Sequence, residues 1–180
     1  MFFSLTVLDI VPSFDIMEKM KITSLEEMEK AAQALLQYEG RAAASDKGAL
    51  VLLLSGELGS GKTTFVQALA RELGIQERIT SPTFVIQKEY ATKKSNKLDR
   101  PTSLKFERLV HIDAYRLKEF SELKMLGWDE YIKDSRAVVA IEWPELVGIT
   151  TAHERVLSLT FSHVTEGVRS LLFNGKEMMC

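Results

Sequence analysis

Apolar residues recur at Leu25, Met28, Ala31, Ala32, Leu35 and Leu36, a spacing that predicts one buried face of a helix. Ser24, with Glu27 three residues on, supplies a capping box at its start, and Gly40 marks its end. The pattern then changes. Ala49 to Ser55 (ALVLLLS) has no polar interruption, which predicts a strand covered on both faces in a parallel sheet. Phe65, Val66, Leu69, Ala70 and Leu73 return to helical spacing, and Gly74 is placed to cap that helix. Thr83 to Tyr90 and Arg108 to Asp113 read as strands, and Phe120, Leu123 and Leu126 as a short helix broken near Gly127. Ala137 to Trp143 is another buried-type strand, stopped by Pro144. The alternating runs RVLSLTFS and VRSLLF flank Thr165-Glu166-Gly167 and predict an antiparallel hairpin added to the sheet. Strands interleaved with helices make this an α/β chain. Residues 20–180 read as one domain and residues 1–19 as an extension in which SLTVLDIV offers an edge strand.

Composition narrows the classes. With 180 residues, 46% hydrophobic and 27% charged, the chain can bury a core without disulfides or metal staples. A formal net charge of −2 argues against a basic coat for bulk nucleic-acid binding. Cys180, the single cysteine, allows no internal disulfide and fits a reducing compartment. The N-terminal MFFSLTVLDIVPSF lacks a basic start, is interrupted by Asp9 and has no small-residue cleavage site, so export is not expected. No run reaches the roughly 18 apolar residues of a membrane span. A cytoplasmic protein without membrane contact is the expectation. Residues 91–107 are rich in lysine and read as a polar insertion loop. Its cations Lys93, Lys94, Lys97, Arg100 and Lys105 form either a docking surface for tRNA or a tRNA-bearing partner, or a solvated loop, as charged loops usually are.

The candidate chemistry begins between the Ala49–Ser55 strand and the helix that follows. Gly56 to Thr63, GELGSGKT, matches G-x-x-x-x-G-K-[ST], and a strand before and a helix after are the context that confirms it. In such a loop the N–H groups of Leu58, Gly59, Ser60, Gly61, Lys62 and Thr63, with Thr64 beside them, face a phosphate at the positive end of the helix. Lys62 reaches the β- and γ-phosphates, and the Thr63 hydroxyl binds Mg2+. A second metal anchor is needed, and two acids compete: Asp113 closes LVHID and Glu142 closes VVAIE. One would order the metal's water shell and the other polarise the attacking water or ligate the metal directly; sequence leaves the assignment open. Thr83, in Ser81-Pro82-Thr83 about twenty residues beyond Lys62, is placed to sense a γ-phosphate. His111 reads as a core histidine rather than a catalytic one. Trp143 is either a core plug or a lid over the nucleotide. Asn96-Lys97-Leu98-Asp99 spells the N-K-x-D string that reads guanine in GTPases, but it precedes Asp113 and lies in the polar loop, so it is taken as chance.

GELGSGKTTF, SPTFVIQKEY, HIDAYRL, LKMLGWDEYI and AIEWPE resemble, in order and spacing, the bacterial TsaE (YjeE) family over roughly Ile22 to Phe173. Only the P-loop among them is shared with many unrelated enzymes. The resemblance implies a P-loop NTPase domain whose mixed, mostly parallel sheet is flanked by helices. It implies ATP and Mg2+ as cofactors, and a role in forming N6-threonylcarbamoyladenosine at position 37 of tRNA through the TsaD and TsaB proteins, with tRNA reached through that complex. Carried over by match, Thr63 and Glu142 would hold Mg2+, Asp113 would support hydrolysis, and Trp143 would lie close to the nucleotide. Ser60 stands where the family often has alanine, and the 91–107 insertion is longer than expected. The rival reading is a small-molecule kinase on the same P-loop, with Arg116 and the insertion pressed into service as a lid.

Overall fold

The computed structural model describes residues 18–41, 48–92, 106–149 and 155–174. The five cations of the insertion, the Asn96–Asp99 string, SLTVLDIV and Cys180 lie outside them. The described residues build β1 (Glu18–Ile22), α1 (Leu25–Arg41), β2 (Leu50–Gly56), α2 (Lys62–Glu72), β3 (Gln87–Ala91) and β4 (Arg108–Asp113). There follow α3 (Phe120–Met125), α4 (Trp128–Tyr131), β5 (Ala137–Glu142), β6 (Val156–Thr165) and β7 (Val168–Asn174). The strands form one seven-stranded sheet in the order β1-β7-β6-β2-β5-β4-β3.

Its centre, β6-β2-β5-β4, is parallel, and both edges are antiparallel: β3 on β4 at one side, and β7 and β1 beyond β6 at the other. The parallel character expected of the sheet therefore belongs to its centre, where the uninterrupted apolar runs lie. The boundary expected after residue 19 falls inside β1, whose five residues pair with β7 from Glu18 to Ile22. The hairpin turns at Gly167 as expected.

Strand alternation divides the interior into two layers. Leu50, Leu52 and Leu54 of β2, with Leu109, Val138 and Ala140, pack with α1 and α2 in one cluster. Val51, Val110, Ile112, Val139 and Ile141 face the other way, with Trp128 and Tyr131 of α4. The same parity assigns His111, Asp113 and Glu142 to the α2 side of the sheet. Asp113 and Glu142 are direct partners in the β4/β5 register, at the carboxyl ends of both strands. Parallel order thus gathers the acids beside the start of α2, where open α/β sheets place their ligands.

One expected strand is shorter than its sequence pattern. Thr83–Ile86 is not extended: the Val85 and Ile86 N–H groups both donate to Pro82 O, and Ile86 has φ 66°. Pro82 sets up a turn that the apolar run TFVI conceals, and the strand begins only at Gln87. The β5 strand ends at Glu142, because Trp143 turns out of it with φ 61°.

Candidate functional site

The loop from Gly56 to Gly61 owes its shape to glycine. A Cβ at Gly56, φ 137°, would stand 2.2 Å from Phe161 O of the neighbouring strand, so β2 leaves the sheet through a residue no larger than glycine. Gly61 occupies the N-cap of α2 at φ 109°, and no side chain caps that helix. The first N–H groups of α2 are left to face whatever enters the cleft. Ser60 is fully buried, and its Oγ has no partner among the described residues.

An open cleft of ≈ 320 Å³ lies above the carboxyl ends of β2, β4 and β5. Of the residues singled out from sequence, Leu58, Gly59, Gly61, Lys62, Thr63, Thr64, Thr83, Asp113, Glu142 and Trp143 line it; Ser60 does not. Tyr115 and Ser81 line it too, and sequence reasoning did not assign them. Ser81 was legible two residues before Thr83, and Tyr115 in the HIDAYRL run.

Lys62 is only 4% exposed. Its ammonium donates to Gly56 O at 2.6 Å and Glu57 O at 2.9 Å and lies 3.8 Å from the centroid of the Trp143 ring. Burial pushes the Lys62 ammonium below its ordinary value, against the pull of Glu142, Glu145 and Asp113. Trp143 also packs against Tyr115, ring centroids 5.3 Å apart, so it walls the cleft rather than plugging the core.

The two acids have different company. Glu142 Oε1 accepts from Thr63 Oγ1 at 2.8 Å and lies 2.8 Å from His111 Nε2, while no hydrogen bond from a described residue reaches Oε2. Asp113 spends both oxygens on its own side of the cleft: Oδ1 accepts from the Tyr115 N–H at 3.0 Å, and Oδ2 from Thr83 Oγ1 and from Ser81 Oγ at 3.2 Å. The Asp113 N–H donates to Ile86 O at 2.9 Å, so Asp113 fastens both ends of the 81–86 turn. His111 is a core histidine by burial, at 0% exposed, yet among the described residues its ring is bonded only on the side of Glu142. Arg116 stacks over Phe84 at 4.8 Å and does not line the cleft.

Among the described residues, no group of three or more His, Cys, Asp or Glu is arranged to hold a metal ion. A hydroxyl with one or two carboxylates is instead the partial set that Mg2+ uses when phosphate and water complete its shell.

The family model for the threonylcarbamoyl adenosine biosynthesis protein TsaE matches residues 22–171. The chain belongs to the TsaE family. It is 37% identical over 125 residues to the tRNA threonylcarbamoyladenosine biosynthesis protein TsaE of Borreliella burgdorferi, spanning 69% of this chain and 81% of that protein. It is 37% identical over 134 residues to the Bacillus subtilis TsaE protein, spanning 72% and 75%. The crystal structure of Bacillus subtilis YdiB superposes with a TM-score of 0.56 at 28% identity, covering 89% of this chain and 87% of that one. The family-model match takes in the P-loop, both acid-terminated strands, β6 and the start of β7, and the α/β P-loop architecture is that of TsaE proteins. No helix among the described residues is long and apolar enough to cross a membrane.

Proposed function

We propose that this chain is a Mg2+-dependent ATPase whose turnover serves formation of N6-threonylcarbamoyladenosine in tRNA, in company with the TsaD and TsaB proteins. Membership of the TsaE family is the ground for the process and partners. The observation that supports the chemistry is that Lys62, Thr63, Asp113 and Glu142 line one cleft at a helix N-terminus that no side chain caps.

The uncapped amides suit an anion. Lys62 donates to neutral carbonyls of its own loop, and a phosphate offers a charged acceptor in their place. Bound Mg2+ would neutralise charge on the phosphates. Thr63 can give that cation an oxygen lone pair while its hydroxyl goes on donating its hydrogen bond to Glu142 Oε1, and Glu142 keeps Oε2 for the cation or its water. Asp113, its oxygens engaged by Tyr115, Ser81 and Thr83, orients the 81–86 turn and the water on that side. The roles that sequence left open thus divide: Glu142 on the metal side, Asp113 on the loop side.

The reading is tested by multiple-turnover phosphate release from Mg2+-ATP with water as sole acceptor, with and without TsaD and TsaB. Slow release alone and a changed rate with the partners are expected. Phosphoryl transfer to a small-molecule acceptor in place of phosphate release would make the chain a kinase and overturn it.

A further inference from the structure

We propose that His111 is a positioning residue that fixes the Glu142 carboxylate by holding its Oε1, so that Oε2 is presented to the cation; this rests on the reading of the cleft as a Mg2+-nucleotide site. His111 and Glu142 are diagonal neighbours on adjacent parallel strands, since the register pairs His111 with Ala140 and Asp113 with Glu142. Ala140 is small, so the imidazole can lean along the strand toward Glu142, and the 2.8 Å contact results.

An ionised carboxylate only accepts, so Nε2 carries the hydrogen of this contact, and in the neutral ring Nδ1 is then bare. The absence of a partner for Nδ1 among the described residues agrees with this, because an orphaned acceptor is better tolerated in a protein interior than an orphaned N–H. The same hydrogen bond that satisfies the buried N–H of His111 also holds Oε1 of Glu142. Oε1 receives both available donors, Thr63 Oγ1 and His111 Nε2. Two donors on one oxygen fix the plane of a carboxylate that Thr63 alone would leave free to rotate. Partners behind a ligating group tune metal affinity in this way, and their loss typically costs about 10–100-fold.

The test compares His111→Leu, which keeps an apolar filler and removes the donor, with His111→Gln, whose amide nitrogen can reach near the Nε2 position. Affinity for a fluorescent ADP analogue is measured in EDTA, and Mn2+ affinity of the ADP-bound protein is read from loss of the free Mn2+ resonance signal. In His111→Leu, ADP affinity in EDTA should stay within about twofold while Mn2+ affinity falls about tenfold or more; His111→Gln should recover most of the loss. In a Glu142→Gln background, His111→Leu should add no further loss of Mn2+ affinity. Unchanged Mn2+ affinity in His111→Leu, equal losses in Leu and Gln variants, or full additivity with Glu142→Gln would each overturn the proposal. Should His111→Leu not fold, His111→Gln decides alone: a metal affinity reduced as far as that of Glu142→Gln refutes positioning. Failure of the cleft reading looks different, because the unaltered protein would then bind neither ADP nor Mn2+ with ADP.

Discussion

The two ends of β4 and β5 carry the same kinds of charge and treat them in opposite ways. At the amino ends, Arg108 lies 2.8 Å from Asp134 and 3.5 Å from Glu89, and Arg136 lies 2.8 Å from Glu107. Each guanidinium there has a carboxylate, and the side chains are between 18% and 60% exposed. At the carboxyl ends, Asp113 and Glu142 are buried side by side, and the nearby ammonium of Lys62 donates to carbonyls rather than to either acid. Folding alone does not favour two like charges held together out of water. Departures of this kind concentrate where a ligand completes the arrangement. The balanced end is a modest contribution to stability, and the unbalanced end is the candidate site.

Breaking the unbalanced end at its one ammonium should have the largest effect. Lys62→Ala is expected to reduce Mg2+-ATP hydrolysis to background, because it removes the side-chain cation of the phosphate cradle. The circular dichroism spectrum should be unchanged, since among the described residues the hydrogen bonds of Lys62 go to carbonyls of its own loop, which water can satisfy. Wild-type phosphate release in this variant would remove the P-loop assignment.

Glu142→Ala and Asp113→Ala should each lower turnover by roughly 10²-fold, about 3 kcal/mol of transition-state stabilisation, while nucleotide still binds through the loop amides. Their signatures should differ. Glu142→Ala raises the Mg2+ concentration needed for half-maximal rate. Asp113→Ala frees Ser81 and Thr83 and should speed amide exchange across 81–86. Identical Mg2+ dependence and identical exchange in the two variants would cancel the division of roles drawn from their hydrogen bonds.

A smaller, spectroscopic effect is expected at Trp143. Lys62 stands over its ring, and a phosphate that draws the ammonium away changes the surroundings of the indole. The other tryptophan, Trp128, is 2% exposed in the opposite core layer and should be a constant background. Adding ADP should therefore change emission in the unaltered protein and leave Trp143→Phe flat. A flat titration of the unaltered protein, with binding seen by calorimetry, would mean that Lys62 keeps its place on the ring.

What sequence disclosed and what it hid follow from the range of the interactions. The uninterrupted runs of β2 and β5, the LVHID strand and the glycine loop were legible because their signals are local. β1 was overlooked although Met20 and Ile22 alternate with Lys19 and Lys21 in a two-residue period, since five residues are a short record and the more apolar SLTVLDIV drew attention upstream. The 83–86 turn was hidden because Phe84 and Val85 look like strand residues yet are 85% and 61% exposed. The link from His111 to Glu142 was beyond reach for a different reason: it needs β4 to neighbour β5 in parallel at one register, and strand order is not written in either strand. Similarly, nothing local marked the left-handed backbone that turns Trp143 from the end of β5 into the cleft wall.

The smallest effect should come from the balanced end. Burial alone would raise the Asp134 carboxyl, but the Arg136 N–H and the Arg108 and Arg136 guanidinium groups outweigh it and hold the group below its ordinary 3.8. A carboxyl lowered in the folded state stabilises fully above its unfolded value, and that contribution is lost as pH falls through the lower folded value. Asp134→Asn should therefore cost about 0.2–1 kcal/mol at neutral pH, the range of solvent-reached ion pairs, and the gap from the unaltered protein should close on acidification below 3.8. Turnover of Mg2+-ATP should not change, because Asp134 does not line the cleft. Urea titrations at neutral and acid pH, paired with phosphate release, check both halves. A gap that persists unchanged in acid would show that Asp134 acts by packing rather than charge; a fall in turnover would show that the two ends of the strands are coupled.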